Sequence, residues 1–145
     1  MATLTYPVTR YSPAPLMDVG STEVRKTKSP AALRIFFNIM QKWDVKDEDA
    51  RRLLGGISNG PFYELKKNPT RKVLSADQML RISYLVGIYK ALNILHSKRL
   101  ADEWIQLPNT NPIFHGETPL AYMIKGEQPA MQTVRRLLDA RRGGL

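Results

Sequence analysis

The sequence predicts an all-α protein, on three observations. Apolar residues recur at helical spacing in several segments, most densely from Met79 to Leu95. Helix start and stop signals bound those segments: Ser75, Thr118-Pro119, Gly55-Gly56 and Gly143-Gly144. No stretch shows the period-two alternation of a half-buried strand. With 145 residues and 43% hydrophobic content, the chain has material for one domain or two small helical ones.

Residues 1–28 carry Pro7, Pro13 and Pro15, many Ser and Thr, and no helical apolar period, so they read as an extended arm. Ser29-Pro30 then predicts a helix start, a capping hydroxyl followed by a proline whose missing N–H costs nothing in the first turn. Leu33, Phe36, Phe37 and Met40 give that helix an apolar face running to Trp43. Asp47 or a neighbour caps a second, short helix. Its Glu48 and Asp49 suit the positive end of the dipole, Ala50, Leu53 and Leu54 face inward, and Gly55-Gly56 stops it. A third short helix spans Ser58 to Asn68, ended by Pro69, with Pro61 expected to shorten or bend it.

Ser75, with Asp77 and Gln78, caps the longest helix, over residues 75–96. Met79, Leu80, Ile82, Leu85, Val86, Ile88, Tyr89, Leu92, Ile94 and Leu95 leave it little polar face. Such a helix is buried on more than one side, either inside a monomer or between the core and a second subunit. Residues 97–107 continue as a helix with Leu100, Trp104 and Ile105 inward. A loop over Pro108–Pro112 follows, then a short helix from Thr118 to Lys125 and a last one from Pro129 to Arg142. The expected layout is an arm (1–28), a reader with its long helix (29–97) and a C-terminal module (98–145).

The net charge is +9 and the pI about 10.0, a balance that attracts polyanions. There is no cysteine, which removes disulfides and thiolate metal sites. No run approaches the roughly 18 apolar residues of a membrane span, and the N-terminus lacks the order of a signal peptide, so no membrane association and a cytoplasmic location are expected. Catalysis is not indicated. His96 and His115 have no nucleophile placed beside them, and the acidic group Asp44, Asp47, Glu48, Asp49 is interrupted by Lys46 and reads as helix N-terminal charge. The glycine pairs fit no phosphate-binding motif. The expectation is a binding protein without metal or cofactor.

Residues 46–68 hold the parts of a helix-turn-helix: Ala50 where two helices approach closely, a glycine turn, Ile57 packed inward and Ser58 opening the next helix. That second helix would enter the DNA major groove by its N-terminus. Its outward candidates are Ser58, Asn59, Tyr63, Lys66 and Lys67, followed by Arg71 and Lys72. Ser and Asn bond base edges, and the cations neutralise phosphates. A stand-alone DNA-binding regulator with merely dimerising C-terminal helices fits these features. An RNA-binding protein fits them less well, because the aromatic order of RNA modules is missing.

Three stretches resemble the Xre/MbcA/ParS antitoxin family: DEDARRLLGGISNGPFYELKKNP, LSADQMLRISYLVGIYKALNILH, and the C-terminal set W-x-x-x-PN, F-x-G-x-TPL and VRRLLDARRGG. The resemblance covers about residues 30–145 and is most specific in the third stretch. Leu65 stands where the family commonly has tryptophan. The resemblance implies an antitoxin that binds a RES-domain toxin, blocks its NAD pocket, dimerises, and represses its own operon by binding operator DNA. It makes residues 98–145 the toxin-binding region, with Pro112, Phe114, Pro119, Tyr122 and Met123 as expected contacts, residues that fit the module's core equally well. It also directs attention to Arg141, Arg142, Gly143, Gly144 and Leu145. Two glycines leave a thin tail, and its terminal carboxylate would pair with the basic groups of a pyrophosphate pocket. An ordinary glycine cap at a fraying end is the competing reading of that tail.

Overall fold

The computed structural model describes residues 20–69 and 72–143, and among them it is helical without a strand. Six helices follow in order: α1 (Thr22–Lys42), α2 (Asp47–Leu53), α3 (Asn59–Lys67), α4 (Ala76–Leu95), α5 (Lys98–Glu103) and α6 (Pro119–Arg142). Two 3-10 turns, Trp104–Gln106 and Pro112–Phe114, shape the stretch between α5 and α6. Of the expected features, most of the arm (residues 1–19), Arg71, Gly144 and Leu145 lie outside the described residues.

α1 starts seven residues before the expected Ser29-Pro30 boundary. Ser21 is its N-cap and accepts from the Val24 amide at 3.3 Å, with Glu23 in the first turn. Pro30 therefore lies inside the helix. Ser29, far from being a cap, is fully buried. Its hydroxyl donates back to the Arg25 carbonyl and accepts from the Leu74 amide at 2.9 Å, pinning the lead-in of α4 against α1. α1 ends at Trp43, where Asp44 turns the chain at φ 53°. The carbonyls of Trp43 and Asp44 accept from the Gln106 side chain at 2.8 and 2.9 Å, so a residue 62 or more positions away closes the helix.

α2 has Lys46, not Asp47, as its N-cap, with no side-chain cap bond; Asp47, Glu48 and Asp49 fill its first turn. The turn after it uses positive φ at both Gly55 (102°) and Gly56 (81°), which only glycine adopts cheaply. Pro61 falls in the first turn of α3, where a missing N–H breaks nothing, so it neither shortens nor bends the helix. Leu65 and Phe62 fill the inner face of α3.

α4 carries the expected capping box: Ser75 accepts from the Gln78 amide at 3.1 Å while the Gln78 side chain accepts from the Ser75 amide at 3.0 Å. Its two buried sides are filled from within the chain, chiefly by α6 and α1. One continuous apolar cluster runs from Leu33 to Leu138 and draws on all six helices. Two residues depart from expectation. Leu100 is exposed rather than inward, and Ile94 is 60% exposed at the end of α4.

α6 holds both of the expected last helices. They meet at Glu127, whose φ 57°, ψ −143° breaks the helical run just before Pro129. That conformation is strained for a residue with a side chain, by about 1–3 kcal/mol. A cluster at the break holds it. Arg81, only 6% exposed, donates to Asp77 at 2.8 Å and to Glu127 at 3.4 Å, while Gln128 donates to the other Asp77 oxygen at 3.0 Å.

Candidate functional site

Two surfaces matter: the outer face of α3 and the module built by residues 98–143. α3 is amphipathic because Phe62 and Leu65 turn inward, which leaves Ser58, Asn59, Tyr63, Lys66 and Lys67 exposed. Ser58 makes no cap bond with its side chain, so its hydroxyl remains available to a ligand. Tyr63 is 52% exposed, an unusual position for so large a ring. Lys66 meets Asp47 at 3.0 Å, an exposed ion pair joining α2 to α3 that competes with any phosphate for the ammonium. Lys72 is exposed beyond the helix. The structure thus places the six described candidates on the outside of one short helix and its exit.

The C-terminal module is assembled around aromatic rings. Trp104 meets Phe114 edge-on at 6.1 Å between ring centres, and Phe114 meets Tyr122 edge-on at 5.3 Å. Asparagines shape the loop that delivers Phe114. Asn109 accepts from the Asn111 amide at 2.9 Å, and Asn111 from the Ile113 amide at 3.1 Å. His115 (φ 50°) and Gly116 (φ 78°) then reverse the chain, and Thr118 caps α6 by accepting from the Ala121 amide at 3.1 Å.

This construction corrects part of the expected contact set. Phe114, Pro119 and Met123 are buried in the core, where they hold the module together and present no surface to a partner. Pro112 is exposed, Tyr122 half-buried, and Arg141, Arg142 and Gly143 exposed at the end of α6. The motif marks residues that recur for packing and for contact alike, and only burial separates the two.

Sequence reasoning passed over a further feature. Gly87 lies in the middle of α4, and the Arg135 side chain of α6 lies directly over it. A Cβ at position 87 would stand 2.5 Å from Arg135 Nε and 2.9 Å from its Cδ. Arg135 donates to the Ser83 carbonyl at 3.4 Å and faces Asp139 at 3.6 Å. The available signal was the glycine itself, since an unbroken apolar helix has no other reason to carry one.

The arrangement is that of a binding protein: an all-helical body with a polar, basic helix face at one place and a ring-built helical module at another. Among the described residues no group of acidic, histidine or cysteine side chains is placed to hold a metal, and no helix is long and apolar enough to cross a membrane. Residues 90–144 match the family described as the antitoxin Xre/MbcA/ParS C-terminal toxin-binding domain. The chain is also 38% identical over 116 residues to a protein of Sinorhizobium fredii (strain NBRC 101917 / NGR234) titled "Uncharacterized protein y4oB", a match spanning 79% of this chain and 87% of the relative. No solved structure matches. The chain belongs to the Xre/MbcA/ParS antitoxin family, and its match to the toxin-binding domain runs from the end of α4 through α5 and α6.

Proposed function

We propose that this protein neutralises a RES-domain, NAD-degrading toxin encoded beside it, by covering the toxin's active site with the C-terminal module. The same protein acts in the cytoplasm as a homodimer that binds operator DNA and represses the shared operon, with α2, the double-glycine turn and α3 as a helix-turn-helix reader. The observation that carries the reading is the match of residues 90–144 to a toxin-binding domain. Exposed Arg141, Arg142 and Gly143 at the end of α6 support a docking role for that end. The exposed Ser58, Asn59 and Tyr63, the cations after them and the net charge of +9 support the DNA role.

Co-expression with the adjacent reading frame tests it. A stable complex of defined mass and suppression of NAD loss in the host are expected. A toxin that kills equally with and without this chain would end the proposal. Removing residues 143–145 tests the plug within it: protection falls if the tail fills the NAD pocket, and full protection places the docking face on Trp104–Leu138.

A further inference from the structure

The second half of α6 runs parallel to α4. Gln128 bonds Asp77, Glu127 reaches Arg81, and Arg135 reaches Ser83 and covers Gly87, so contacts advance along both helices together. Residues seven places further on each helix return to the same face, roughly 10 Å along the axis. Exposed Lys90 and Ile94 thus share a face of α4 with Gly87, and exposed Arg142 shares a face of α6 with Arg135. These faces carry three cations, Lys90, Arg135 and Arg142, and one exposed apolar side chain, Ile94, with Asp139 facing Arg135.

Arg135 is held between α4 and its own helix. Its side chain is 17% exposed, braced by the Ser83 carbonyl and Asp139, and flat against a glycine. Glycine is the poorest helix former after proline, so a local preference does not account for Gly87; room for the guanidinium does. Bracing through Nη1 and Nε leaves Nη2 without a bond among the described residues. A guanidinium immobilised beforehand loses little entropy when it takes a carboxylate, and its planar geometry matches that ligand.

We propose that Arg135, seated on Gly87, is a specificity-determining contact for the toxin. It pairs with a carboxylate on the toxin's surface, framed by Lys90, Arg142 and Ile94. The inference rests on the antitoxin reading and adds the chemistry of the partner surface, an acidic patch with an apolar neighbour.

Titration of the full chain against the toxin from its own operon tests this, with Arg135→Met, Arg135→Lys and Gly87→Ala. Arg135→Met should weaken binding roughly 10- to 100-fold, as expected for a lost charge-assisted contact. Arg135→Lys should recover little of it, because an ammonium lacks the fork. Gly87→Ala displaces the guanidinium while improving helix propensity. It should weaken toxin binding without lowering the unfolding midpoint, which a merely structural arginine would not produce. If Arg135→Met does not fold, the Gly87→Ala result decides. Toxin affinities of Arg135→Met and Gly87→Ala within twofold of the parent would overturn the inference and leave the antitoxin reading standing. Loss of affinity for duplex DNA instead of toxin would also overturn it. A parent chain that binds no toxin would bring down both.

Discussion

On α3 the residues expected to meet a ligand, Ser58, Asn59, Tyr63, Lys66 and Lys67, all stand exposed. In the C-terminal module Phe114, Pro119 and Met123, expected at the docking face, are buried. The two sets were chosen on different grounds. On α3 the choice followed helical period: once Phe62 and Leu65 turn inward, polar residues on the opposite face must point out. In the module the choice followed a motif, and a motif records recurrence without saying why a residue recurs. Helical period thus separates exposed from buried residues, which apolar motif positions do not.

Replacement of Phe114 by alanine is the strongest way to break that contrast. As a fully buried ring touching Trp104 and Tyr122, it should lose about 3–5 kcal/mol of stability in urea unfolding. Pro112→Ala, exposed two residues earlier, should stay within about 0.5 kcal/mol. A Phe114→Ala protein with undiminished stability and lost toxin binding would return that ring to the docking face. A smaller effect belongs where the module meets the end of α1. Gln106→Ala removes the donors that close α1 at Trp43 and Asp44 and should cost about 1–2 kcal/mol in the same unfolding measurement. An unchanged midpoint would mean that water caps α1 equally well. The smallest effect on stability belongs to α3. Lys67→Gln should leave unfolding unaltered and reduce the log–log salt dependence of operator binding by roughly one. A slope equal to the parent's would remove Lys67 from the phosphate contacts.

Seven helical segments were expected and six helices stand among the described residues, the last two joined at Glu127; the Ser75 capping box, the glycine stop of α2 and the Thr118 start of α6 were legible because each depends on neighbours within four or five residues. Signals of the same local kind also misled. Ser29-Pro30 has the form of a helix start, yet Ser21 caps eight residues earlier and Ser29 is used to tie α1 to Leu74. Leu100 is apolar and at helical spacing, yet nothing among the described residues covers it sufficiently to bury it. The α3 candidates were legible as a group; which of the five candidates before and within α6 are buried, namely Phe114, Pro119 and Met123, was not.

Helical period, caps and breaks are consequences of bonds and sterics along a few consecutive residues, so the order of helices and the outward face of α3 follow from the chain alone. Packing partners are not local. The parallel course of α6 along α4, the Arg81 cluster at the bend, the Gln106 closure of α1 and the seat of Arg135 on Gly87 join residues 46 to 63 positions apart. No propensity encodes such pairs, because each depends on which apolar faces meet when the whole core closes.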